Sequence, residues 1–314
     1  MGKPVLREVE TLEIKNLMDN FTEILMASSE NVKRAPFGKN QEMRPVPLAE
    51  HGFSVIAKVS CEGSEHSILV DTGVTPDGVL VNIDRMEIDL NPIEAIAITH
   101  GHVDHTAGLV NILRRLAKKK LPVIIHPEAF AKRWVVSPDG SKVRLPAATR
   151  QSILGVGAKL VETTEPLLIA EGTMLVSGEI PRVTDFEKGL PTSYAEIEGR
   201  LEKDPLIKDD MALAFKVKGK GLVVISGCAH SGIINTIRYL KDLTETKVYA
   251  VIGGFHLTGK DFEPIIDRTV AELRQFDPAL VVPCHCTGWK AINKIYREMP
   301  ERYIHNAVGT TYIF

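Results

Sequence analysis

His100-Gly101-His102-Val103-Asp104-His105 is the stretch from which the rest of this chain can be read. Three histidines and an aspartate fall in six residues of a chain that has 10 His in 314. Imidazole nitrogen and carboxylate oxygen are ligands for zinc-type ions, and a catalytic site keeps one coordination position open for water. On an extended segment His100 and His102 alternate and can both face one way. Asp104 and His105 begin the turn into the next helix and can face a second ion. A solvated loop that is His-rich by accident is the weaker reading of so dense a cluster.

The flanks place this cluster at a strand end. AIAIT (95–99) is a short apolar run, and Leu109, Val110, Ile112, Leu113 and Leu116 then fall at helical spacing, closing on the cations 118–120. The same grammar recurs three times. LVVIS (222–226) leads into GCAH, with Ile233, Ile234, Ile237 and Leu240 marking a helix face; YAVI (249–252) leads into GGFHL; ALVVP (279–283) leads into CHCTG. In α/β sheets, ligands bind at the carboxyl ends of strands, so these sites converge although they are far apart in sequence. Strand and helix alternate at both ends of the chain, which predicts an α/β fold.

His230, His256 and His285 each carry little weight alone, but their shared position makes His230 and His285 candidate ligands and leaves the role of His256 open. Asp71, in ILVDTG (68–73), has two readings: a carboxylate that orients a ligand histidine, or an Asx-turn residue bonding its own backbone. His51 could line the site, whereas His66, His126 and His305 lack this context.

Lys+Arg 38 against Asp+Glu 40 gives a net charge of -2, with 44% hydrophobic residues. That excludes a disordered chain and argues against a nucleic-acid partner, for which no positive surplus exists. The N-terminal stretch carries Glu8, Glu10 and Glu13 with no apolar run, so no secretory signal is expected. No segment approaches the roughly 20 apolar residues of a membrane span. Cys61, Cys228, Cys284 and Cys286 are too few for a disulfide framework. A cytoplasmic single domain over 1–314 is expected, with no membrane partner. The PDG turns at 76–78 and 138–140 read as loops, and about 127–210 reads as a loop-rich insertion, a lid or recognition element.

Taken together, HGHVDH, the upstream VDTG and the downstream GC and PCHC turns resemble the metallo-β-lactamase superfamily. GEIPR (178–182), DDMAL (209–213), SGCAHSGIIN (226–235), GGFHL (253–257) and PCHCTG (283–288) resemble its 7,8-dihydropterin-6-methyl-aminobenzene ribofuranosyl phosphate synthase-like branch, from about residue 13 to the end. The resemblance implies an αββα sandwich, two mixed sheets flanked by helices, with one or two divalent ions at one edge: zinc first, iron or manganese as alternatives. His100 and His102 would bind the first metal; Asp104, His105 and His285 would bind the second. Cys228 stands where most members carry a bridging aspartate, and a thiolate is the softer ligand. No histidine lies between His126 and His230, where the superfamily supplies the third ligand of its first metal. His230, then Glu179, are the candidates for that place.

Three functions follow as expectations. The first is a metal-dependent hydrolase of a phosphoester or similar small polar substrate, with water activated by the metal. Asp104 would orient the water and His256 would protonate the leaving group. Arg182 and the Lys/Arg residues of the 127–210 stretch would hold a substrate phosphate, although an ordinary surface or ion-paired arginine is the plainer reading of Arg182. The second is the transferase the branch implies, joining a pterin-methyl diphosphate to an aminobenzene ribofuranosyl phosphate with release of diphosphate. Phe53, Phe186, Tyr194, Phe255 and Trp289 are its aromatic candidates. The third is a non-catalytic metal-binding sensor.

Overall fold

The computed structural model describes residues 3–137 and 139–314, so Pro138 of the second PDG turn lies outside the described residues. Two mixed sheets stack face to face. The first has eight strands in the order Lys159–Glu162, Pro122–Ile125, Ile93–Ala97, Ser64–Val70, Ser54–Cys61, Thr11–Met18, Thr311–Ile313 and Val32–Lys33. The second runs Leu167–Ile169, Met174–Val176, Ala212–Val217, Gly221–Ser226, Val248–Gly254 and Leu280–Cys284, with Glu8–Val9 paired alongside Ala212–Val217.

Strand periodicity explains the stacking. Ile68 and Val70 point between the sheets while Leu69 points outward; Ala95 and Ala97 face inward while Ile96 faces out. From the opposite sheet, Val223, Ile225, Ala250, Ile252 and Val282 meet the inward set, so the interlayer is continuous and apolar. Each fully buried aliphatic chain there contributes about 1.5–3 kcal/mol.

Helices cover both outer faces. Gly78–Arg85, Leu109–Leu116 and Arg150–Leu154 seat Val79, Ile83, Leu109, Ile112, Leu113 and Ile153 against Leu69, Ile96, Val123 and Ile125. Ile233–Thr244, Ile266–Gln275 and Trp289–Glu298 seat Ile233, Ile237, Val270, Leu273 and Ile295 against Val251 and Val281. The layers are helix, sheet, sheet, helix: the αββα sandwich. Among the described residues no helix is long and apolar enough to cross a membrane.

In the stretch 127–210 short strands of three to five residues alternate with loops. Its strands are distributed over three sheets: Lys159–Glu162 edges the first, Leu167–Ile169 edges the second with Met174–Val176 next to it, and Arg133–Val136, Lys142–Arg144, Ser193–Ile197 and Arg200–Lys203 form a separate four-stranded sheet. Most of these strands are only partly buried and Lys142–Arg144 is exposed throughout, whereas Met174–Val176 is fully buried.

Candidate metal centre

Ser64–Val70, Ile93–Ala97 and Pro122–Ile125 run parallel in one sheet, and Gly221–Ser226, Val248–Gly254 and Leu280–Cys284 run parallel in the other. Their carboxyl ends deliver Asp71, the 100–105 segment, Cys228 with His230, His256, and His285 to one edge of the sandwich. Asp71, Ala229, His256 and His285 all have positive φ, between 45° and 55°. Such residues cost roughly 1–3 kcal/mol each and persist only where surrounding contacts fix them. At His285 the fixing contact is visible: its N–H donates to Asp19 Oδ1 at 2.8 Å, and Asn306 Nδ2 donates to Asp19 Oδ2 at 2.7 Å.

The ligand atoms of Asp104, His105, Cys228 and His285 lie within 4.8 Å of one another, as do those of His100, Cys228 and His230, and those of His100, His102 and Asp104. Asp104 Oδ2 is 3.2 Å from His285 Nε2 and 3.7 Å from His105 Nε2. His105 Nε2 is 3.2 Å from Cys228 Sγ, and His230 Nε2 is 3.1 Å from His102 Nδ1. Two of these groups share Cys228, His102 groups instead with His100 and Asp104, and the His230 ring lies beside those of His100 and His102. Glu179 is exposed and joins none of these groups.

The donor chemistry fits a divalent ion. His100 Nε2 and His102 Nε2 are buried and have no hydrogen-bond partner among the described residues. Buried polar atoms rarely go unsatisfied, and coordination of an ion is one way to satisfy them. Burial, reinforced by neighbouring imidazoles, holds His100 well below the usual histidine range, and burial takes His102 down to about 4. Both are neutral at neutral pH, with lone pairs free for coordination. Burial alone would raise Asp104, but His105, His285 and His102 outweigh it and keep the carboxylate ionised. Burial likewise opposes a charge on His105, yet Asp71 and Asp104 lift it to about 9.

Asp71 is buried and accepts from Thr99 N and Thr99 Oγ1 and pairs with His105 Nδ1, each at 2.7 Å. These are partners across the strand ends, which is the orienting geometry; with Nδ1 held by Asp71, His105 presents Nε2 to the centre. Asp209, Arg133 and Asp19 had no assigned role in the sequence. Asp209 Oδ2 accepts from Gly101 N at 2.7 Å and pairs with Arg133, whose Nη2 is 2.6 Å from Asp209 Oδ1. This buried pair ties the histidine loop to a residue 108 positions away. The DDMAL motif was the available signal, but nothing local said which chain segment it would hold. Gly101 packs so closely on Ala129 that a Cβ there would overlap its backbone.

Arg182 donates to the carbonyls of Leu206 and His230, bracing the turn that carries His230. His256 packs against His230, with ring centroids 4.3 Å apart and the rings tilted by 53°. Both line a cleft of about 370 Å³ together with Phe186, Phe255, Phe262 and Lys188. Phe53 instead lies 6.3 Å from the His105 ring, Tyr194 and Trp289 do not line the cleft, and Trp289 is 73% exposed. His51 Nε2 is 3.8 Å from Asp104 Oδ2, at the exposed mouth of the site.

A helix-flanked double sheet with imidazoles, a carboxylate and a thiol gathered at its carboxyl edge defines a metal-dependent scaffold. The sequence profile of the metallo-beta-lactamase superfamily matches residues 54–285, and the chain belongs to that superfamily. It is 32% identical over 260 residues to the 7,8-dihydropterin-6-methyl-4-(beta-D-ribofuranosyl)-aminobenzene-5'-phosphate synthase of Methanocaldococcus jannaschii, covering 81% of this chain and 87% of that one. It is also 32% identical over 264 residues to an uncharacterised protein of the same organism, covering 83% and 93%. Among solved structures, Tm1679, described as a metal-dependent hydrolase of the beta-lactamase superfamily, aligns with a TM-score of 0.72 at 25% identity over 96% of this chain and 98% of that one. Unliganded yeast PDE1 shares the fold at 12% identity, with a TM-score of 0.52 over 98% and 100%.

Proposed function

We propose that this protein is a metal-dependent hydrolase of a small phosphoester or similar polar substrate. The observation that carries this reading is the convergence of the unpartnered His100 and His102 nitrogens with Asp104 and Cys228 beside a cleft. His100, His102 and His230 would hold one ion, and Asp104, His105 and His285 a second, with Cys228 between them. When bound, such ions activate water and polarise a phosphoryl oxygen.

The chain's own residues supply the rest. Asp104 is an ionised acceptor, only 15% exposed, placed to orient an attacking water. His256 faces the cleft; burial works against its protonation, but Cys286, Asp210 and Asp104 outweigh that and raise it above the ordinary histidine value. It is therefore suited to deliver a proton to a leaving group. Lys188 lines the cleft and is the cation available to a substrate anion, whereas Arg182 is occupied by backbone carbonyls.

A second reading has its own support. Phe186, Phe255 and Phe262 give the cleft flat apolar walls, and the methanogen relative is named a dihydropterin synthase. In that reaction the same centre would grip a departing diphosphate while an aminobenzene acceptor attacks. One experiment separates the two. The metal-loaded protein is given a phosphodiester panel, then a dihydropterin-methyl diphosphate with and without the aminobenzene ribofuranosyl phosphate. Chelator-sensitive hydrolysis without acceptor supports the first reading; diphosphate release that requires the acceptor supports the second. Metal uptake with no turnover on any substrate would refute both and leave a binding protein.

A further inference from the structure

Cys286 has no part in the two ligand sets assigned above, yet it sits against them. Its Sγ, that of Cys228 and a ring nitrogen of His256 lie within 4.8 Å of one another. Both thiols are buried and free, and the Cys286 thiol donates to the Cys228 carbonyl at 3.5 Å. Two further observations mark a built site. His256 Nδ1 is shut off from solvent and has no hydrogen-bond partner among the described residues. Gly254 leaves the room: a Cβ there would overlap the Gly227 carbonyl oxygen and would also stand 2.6 Å from Cys286 Sγ and 3.2 Å from the His285 ring.

We propose that Cys228, Cys286 and His256 form a further ion position, sharing the Cys228 thiolate with the two-ion centre and selecting thiophilic metals. Two thiolates and an imidazole are a zinc-type donor set and a poor one for magnesium or manganese. The inference rests on the metal-binding reading above but adds two ligands to it. It places His256 at a junction: turned toward the cleft it faces substrate, and turned toward the thiols it faces an ion. Metal load would then set whether His256 is free to act as a proton donor.

The test uses the full chain, stripped with chelator under reducing conditions and reloaded with Cd²⁺. Bound ions are counted by elemental analysis, and thiolate ligation is read from the ultraviolet sulfur-to-cadmium charge-transfer band. Cys286→Ser is expected to lose one equivalent of Cd²⁺ and about half of the band, since one of two thiolates is removed. Cys61→Ser, whose thiol bonds the Glu8 carbonyl away from the site, is expected to lose neither. Cadmium-113 NMR of the unmutated protein gives an answer independent of whether the variants fold, with a resonance expected in the two-thiolate range. Two bound ions with only one-thiolate signals, or a Cys286→Ser band equal to that of the parent, would overturn the further position and leave the two-ion centre standing. No uptake of Cd²⁺ would overturn both.

Discussion

Glu187→Gln is the perturbation whose size can be worked most directly from the structure. Glu187 is 5% exposed and caps the helix Ile233–Thr244: its Oε1 accepts from Ile234 N at 2.8 Å, and its Oε2 accepts from Asn235 N at 2.8 Å and Thr184 Oγ1 at 3.0 Å. Burial nevertheless wins over these donors and raises the carboxyl from 4.5 to about 7. The folded protein therefore binds this proton more tightly than the unfolded chain does. The resulting stability is full below pH 4.5 and is lost as pH rises through about 7. Between pH 5 and pH 8 the loss is about 2–3 kcal/mol, at about 1.4 kcal/mol per pKa unit. Glutamine keeps the shape and one acceptor but cannot titrate. Urea unfolding at both pH values, with metal saturation held equal, should show the parent losing about 2–3 kcal/mol more than Glu187→Gln over that interval. Parallel pH profiles for the two proteins would refute the argument, because histidine titrations common to both cancel in the difference.

Asp71→Asn should weaken metal affinity about 10- to 100-fold while leaving the chain folded, since His105 loses the carboxylate that fixes its ring; competition with a chromophoric chelator measures this, and unchanged affinity contradicts it. Arg133→Met leaves Asp209 charged and buried without its partner and should cost roughly 3–5 kcal/mol in denaturant unfolding. A loss below about 1 kcal/mol would mean the pair does not anchor the loop. Cys228→Asp should shift metal preference from zinc and cadmium toward manganese, and identical metal content and rate in the two proteins would show that the thiol is not a ligand.

Much of the candidate site was legible because its residues follow a repeated local rule. Strand, polar turn and histidine occur in series, and parallel strands bring the turns to one edge, so His100, His102, Asp104, His105, Cys228, His230 and His285 were all readable one turn at a time. Helices over 109–116 and the 233–240 face were readable from apolar spacing alone. Asp209, Arg133 and Asp19 were not, because each acts on a backbone N–H or carboxylate supplied by a distant segment and none has a local signature. The short strands within 127–210 were not legible for a related reason. Edge strands and a small exposed sheet lack the apolar alternation that announces a buried strand. Among the cations of 127–210 the sequence does not say which one faces the site: the Arg182 guanidinium meets the backbone carbonyls of Leu206 and His230, and Lys188 lines the cleft.

Metal content per chain tests the central claim most directly. Protein purified without chelator and then reconstituted should carry no fewer than two divalent ions by elemental analysis, and the number should fall in His102→Ala and Asp104→Ala variants that remain folded. Protein that binds no metal after reconstitution, or variants that keep the full complement, would contradict the account.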